Sequence, residues 1–244
     1  MSQEHVWPAT WREGHEVPAR DGRPRAAAAN DGAGAALVLA GLPQAFDAWV
    51  FGALALGVFP QLFFSALAPA AGVAAAVGVW ALAYVAALAW RAVLARRGHR
   101  TRGHLAAARL VFAIATVATA AAPAAASVVW APLVLVVLRL AQGLALGALA
   151  SPRPAAGDAR CVLLRSRVVA GVIGLAAAGG ILGGLALALP SEDFVTWGWR
   201  YPFVIALTLN MGALFGDLRA AELHRRARGR PELRLVAVSG GLVR

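Results

Sequence analysis

From Ala35 onward, apolar stretches recur that are each long enough to cross roughly 30 Å of hydrocarbon at 1.5 Å per residue, and almost no charge falls inside them. A bilayer is the solvent such a pattern requires. Six spans are expected, over about 35–58, 71–91, 105–125, 131–150, 168–189 and 201–218, separated by prolines or arginine clusters. Between Asp31 and Arg91 the only charge is Asp47, so the first two spans share that stretch. The "FPQLFFSALAP" turn at 59–69, marked by Pro60 and Pro69, divides them.

Composition agrees. The chain is 60% hydrophobic and 14% charged, with a mean hydropathy of +0.67, far from soluble usage. Its net charge of +11 would suggest nucleic acid in a soluble protein. In a membrane protein the position of the arginines matters instead, and no nucleic-acid partner is expected. The residues are therefore divided into a disordered cytoplasmic tail at 1–34, a six-helix transmembrane domain at 35–218 and a basic cytoplasmic tail at 219–244. The segment 91–102 carries five arginines and no acid, and 151–167 carries four against Asp158. The connections 59–69 and 122–130 carry no charge. By the positive-inside rule both termini are expected in the cytoplasm, which an even number of spans permits.

Two charges lie deep inside spans. Counting residues puts Arg139, in "LVLVVLRLAQG", about 12 Å below the outer face, and Asp47 about 18 Å above the inner face, which is the same height. Each alone near the bilayer centre costs ~2.5–3.5 kcal/mol, so the two are expected to pair or to share a wet cavity. Gln44 and Gln142 each sit three residues nearer the cytoplasm than their charged neighbour, extending one polar wall. Two readings of this group stand at this point: a substrate and proton site, or an ion pair that only locks span one to span four.

The remaining polar and small residues read as packing. "AGGILGG" at 178–184 spaces glycines for close helix approach, and "WGWRYPF" at 197–203 offers Trp197 and Trp199 to an interfacial belt, with Pro202 at a helix start. Thr116, Thr119, Thr208 and Asn210 read as helix-to-helix hydrogen bonds. The five histidines lie in tails or the basic loop without ligand spacing, and Cys161 is single, so no metal, cofactor or catalytic group is expected. The chain is not read as an enzyme.

These residues together resemble the amino-terminal half of a major facilitator superfamily transporter of the metabolite:proton symporter branch. In span one "QAFDAWVF" keeps the branch's aspartate as Asp47, with Gln44 where glutamate is common. After span two, "AVLARRGHRT" is similar to Gly-x-Leu-x-Asp-Arg-x-Gly-Arg-Lys at Leu94, Arg97 and Arg100, while Arg96 replaces the aspartate. In span four "RLAQGLALG" matches Arg-x-x-Gln-Gly at Arg139, Gln142 and Gly143, and "WGWRYPF" matches Trp-Gly-Trp-Arg-x-Pro-Phe before span six. The resemblance implies half of a two-half bundle, a multi-pass inner-membrane location, and symport of a proton with a small metabolite, of anionic character if Arg139 attracts it. It also implies a partner, either a second copy or a separate carboxy-terminal half. The alternatives are a divergent relative without transport activity and a small membrane scaffold or regulator.

Overall fold

The computed structural model describes residues 23–97, 102–123, 129–150 and 158–228. Among them the chain is helical, with α1 (Arg23–Gly57), a short α2 (Phe59–Phe63), α3 (Pro69–Arg97) and α4 (Arg102–Ala120). Then follow α5 (Trp130–Leu149), α6 (Asp158–Ala188), a short α7 (Ser191–Thr196), a 3-10 turn over Gly198–Arg200 and α8 (Tyr201–Arg228). The six long helices α1, α3, α4, α5, α6 and α8 fall on the six expected spans, and the fold is an all-α membrane bundle. Five of them are long and apolar enough to cross a bilayer. The sixth, α4, has a shorter apolar stretch, His104–Ala120, because the helix stops at Ala120 before the expected end at 125. At 1.5 Å per residue it reaches about 26 Å.

Two boundaries differ from expectation at the aqueous ends. Helix α1 begins at Arg23, so part of the segment read as a disordered tail, 1–34, is helical, while residues 1–22 lie outside the described residues. Helix α8 likewise runs past 218 to Arg228, and residues 229–244 lie outside. The cause is local propensity. "RAAAA" and "LRAAELHRRAR" are good helix formers that hydropathy cannot distinguish from polar coil.

Side-by-side packing pairs α1 with α6, α3 with α5, and α4 with both α5 and α8. Glycines set the α3–α5 approach: a methyl group built on Gly143 would collide with the Ala83 carbonyl oxygen and come within 2.7 Å of Ala86 Cβ. One built on Gly147 would lie 2.5 Å from the Ala87 carbonyl oxygen. Helix α6 meets α1 at Gly174, whose Cβ would fall 3.0 Å from Ala45 Cβ. The glycines expected to do this, at 179, 180, 183 and 184, face open space instead. Spacing identifies a small-residue stripe, but not whether a neighbouring helix lies over it.

Two tryptophans tie the bundle to α1. Trp80 Nε1 donates to the Ala48 carbonyl at 3.0 Å, and Trp49 Nε1 to that of Gly171 at 3.0 Å. The apolar core collects at the end of the bundle away from the arginine clusters, where Phe46, Phe51, Phe59, Phe63, Leu135 and Phe203 are buried around Trp199. Trp199 is therefore a core residue and not part of an interfacial belt. It meets Phe59 edge-on at 5.4 Å between ring centroids and Phe203 at 6.2 Å, while Trp197 is 38% exposed beside Tyr201. Large apolar side chains such as Val85, Ile114, Val172 and Phe215 are exposed around the bundle, as a lipid-facing surface demands.

Gly143→Val should destabilise the bundle by about 1–3 kcal/mol, since the extra atoms have nowhere to go between α3 and α5. Gly180→Val should stay within about 0.5 kcal/mol of wild type. Unfolding by dodecyl sulfate in mild detergent, followed by tryptophan fluorescence, measures both, and equal losses would contradict this account of α5.

Candidate functional site

Asp47 lies on α1 one turn after Pro43, which has no amide hydrogen to give to the carbonyl of Leu39 and so loosens the helix there. Phe51 follows Asp47 at i+4 and shares its face. On α5, Arg139 and Gln142 are buried one turn apart, next to the Gly143 that lets α3 come close. Helix α4 adds Thr116 from the third side.

The four side chains form one buried network. Arg139 Nη1 donates to Asp47 Oδ2 at 2.9 Å, with the two side chains 3% and 2% exposed. Gln142 Nε2 has two hydrogens: one reaches Thr116 Oγ1 at 2.9 Å, the other Asp47 Oδ1 at 3.3 Å. Thr116 has a single proton, shared between the Phe112 carbonyl at 2.9 Å and Asp47 Oδ1 at 3.3 Å, and the shorter contact is the better placed. The guanidinium of Arg139 stacks on Phe51, its carbon 3.3 Å from the ring centroid, so the cation lies between a carboxylate and an aromatic face.

The network is not complete. Among the described residues, Arg139 Nε and Nη2 and Gln142 Oε1 are buried without a hydrogen-bond partner. Unpaired buried polar atoms cost about 1–3 kcal/mol each, more when charged. A cavity of about 20 Å³ adjoins them, lined among others by Gln44, Asp47, Tyr84, Arg139, Gln142 and Leu146. That is room for one water-sized group. Gln44, Tyr84 and Leu146 also wall a wider cavity of about 470 Å³ at the arginine-rich end.

Sequence reasoning put Asp47, Arg139, Gln44 and Gln142 on one wall, and the structure brings three of them into direct contact. Gln44 turns elsewhere. With its amide oriented to satisfy its neighbours, its nitrogen donates to the Ala40 carbonyl at 2.8 Å and its oxygen accepts from Arg109 Nη1 at 3.2 Å. Arg109, on α4, is buried and forms a second ion pair, Nε to Asp217 Oδ2 at 2.6 Å, tying α4 to α8. This pair went unread, although Arg109 and Asp217 both fall inside expected spans near the same face of the membrane. Phe51 was also missed. Its signal was the i+4 spacing from Asp47.

Of the residues read as bridging helices, only Thr116 does so. Thr119, Thr208 and Asn210 donate to carbonyls one turn back on their own helices, at 2.8, 3.2 and 2.9 Å, a local bond that satisfies a polar side chain without a partner helix. In the loop motif, Leu94 and Arg97 belong to the last turns of α3, where cations suit the helix dipole, and Arg100 lies outside the described residues.

The chain is 28% identical over 179 residues to the shikimate transporter of Escherichia coli (strain K12). It is 31% identical over 179 residues to the inner membrane metabolite transport protein YhjE of the same organism. Each match takes in 70% of this chain and 41% of the relative, so the chain spans about two fifths of the length of the curated relatives it matches. No protein-family model matches it, and no solved structure does. The two transporters bear out the resemblance to the amino-terminal half of a major facilitator superfamily metabolite transporter.

Asp47→Ala should cost about 3–5 kcal/mol, because Arg139 is then a buried charge with no counter-ion. Adding Arg139→Met should recover most of that loss. A double-mutant cycle from dodecyl sulfate unfolding reads the coupling, and strict additivity of the two losses would mean that the pair does not hold α1 to α5.

Proposed function

We propose that the chain is one half of a proton-coupled metabolite transporter of major facilitator type. It resides in a bacterial inner membrane with both termini in the cytoplasm, and a second copy or a separate carboxy-terminal half completes it. The observation that carries this reading is the buried Asp47–Arg139 pair, which leaves two guanidinium nitrogens and Gln142 Oε1 unpartnered beside a cavity. Those groups can hydrogen-bond a guest that enters the cavity. The two transporter relatives supply the class.

In the proposed cycle, protonation of Asp47 removes the charge that restrains Arg139. The guanidinium then accepts a carboxylate of the substrate in place of Asp47, using the fork geometry that suits planar oxyanions. Return of the proton to the cytoplasm restores the pair and expels the substrate. Binding of proton and anion is thereby coupled, since each stabilises the state the other needs. A homodimer about a two-fold axis normal to the membrane keeps both copies in the same orientation, as the two halves of such a transporter require.

The near-complete burial of the pair favours a second reading, in which it only locks α1, α4 and α5 in a relative that does not transport. Uptake separates the two. Proteoliposomes holding wild-type protein, given labelled shikimate or succinate with an inward proton gradient, should accumulate the anion. Arg139→Ala should reduce uptake by at least about tenfold, the loss of one charge-assisted contact or more. Asp47→Asn should keep exchange but lose gradient-driven accumulation. Flux that is identical in the three proteins would remove the pair from transport, and flux no higher than in empty vesicles would support the lock.

A further inference from the structure

We infer that the wide cavity at the arginine-rich end is an oxyanion-binding site separate from the buried pair, taking a carboxylate or phosphate group carried on an apolar body. Its walls include Arg91 from α3, Arg109 from α4 and Arg167 from α6, and among the described residues no aspartate or glutamate lines it. Arg109 is paired with Asp217, which leaves two guanidinium charges without a counter-ion among the described residues. Arg91 and Arg167 are exposed, and neither has a carboxylate within ion-pair distance among the described residues. A concave site with one sign of charge and low-dielectric walls concentrates its field on an ion of opposite sign.

One wall of the site is held rigidly. Arg109 is fixed from three directions, by Asp217 Oδ2, by the Ala40 carbonyl 3.4 Å from Nη1, and by the oriented amide oxygen of Gln44. The cavity, about 470 Å³, falls in the size range of small-molecule sites. Leu88 and Leu163 line it too, so an apolar body is accommodated beside the charged group. Two sources offer this chemistry: a soluble organic anion, and the headgroup of an acidic phospholipid whose acyl chain follows the apolar wall, since basic pockets between helices near the cytoplasmic leaflet hold such headgroups. The inference needs no transport, and it stands or falls apart from the uptake measurement.

The purified full chain tests it in nanodiscs. Labelled benzoate, at fixed ionic strength in phosphatidylcholine discs, probes the soluble source by equilibrium dialysis. Phosphatidylglycerol that co-purifies from mixed discs, counted by lipid mass spectrometry, probes the other. Arg91→Gln with Arg167→Gln removes two exposed charges without touching the buried network. Arg219→Gln with Arg225→Gln on α8 is the control of equal charge change. Saturable benzoate binding that weakens about tenfold or more in the first variant and not in the control assigns the site to a soluble anion. Phosphatidylglycerol retention lost in the same pattern assigns it to lipid. Retention of neither probe, or losses equal in the two double variants, overturns the site.

Discussion

A charge held inside the bundle of a membrane protein is tolerated only when its partner is already in place, and the Asp47–Arg139 contact imposes that condition on three helices at once. The carboxylate comes from α1, the guanidinium from α5, and the hydroxyl that fixes the bridging amide of Gln142 from α4. None of these helices can rotate or slide by a turn without exposing an ion to a medium that cannot solvate it. The fold around the pair follows this constraint. Gly143 and Gly147 carry no side chain because α3 must reach α5 at the level of Gln142, and Phe51 is large and flat because it covers the open face of the guanidinium.

The constraint also divides the bundle in two along its length. Beyond Asp47 toward one end, the space between helices is filled by aromatic side chains stacked edge-on around Trp199. Toward the other end the helices open into the arginine-lined cavity. The pair therefore stands at the boundary between a sealed region and an accessible one. Tyr84, Gln44 and Leu146 stand on both sides of that boundary, since they wall both the small cavity and the wide one.

What the sequence made legible was whatever depends on distance along one helix. The six spans follow from runs of apolar residues, and the equal height of Asp47 and Arg139 follows from counting at 1.5 Å per residue. What it concealed depends on rotation about the helix axis and on which neighbour lies across. Gln44 is one turn from Asp47 yet turns to Arg109, because α4 brings a cation closer than α5 does. The glycines at 179–184 have the spacing of a contact face and meet nothing, whereas Gly174, in no obvious motif, meets the α1 backbone. Trp199 has the amphipathic side chain of a membrane-interface residue but sits in the core, because the 3-10 turn at Gly198–Arg200 folds it back over Phe59. Helix ends in water were the least legible, since an exposed helical turn and an exposed coil differ little in burial.

The second ion pair bears on how the arginine-rich end holds together. After span two, Arg96 stands at the exposed end of α3. The arginine-rich end is tied within the chain: Asp217 holds Arg109, joining α8 to α4, and Arg109 reaches the Ala40 carbonyl of α1. These contacts tie α1, α4 and α8 together beside the cavity. The like charges that remain around the cavity repel one another, and an anion seated among them would relieve the repulsion.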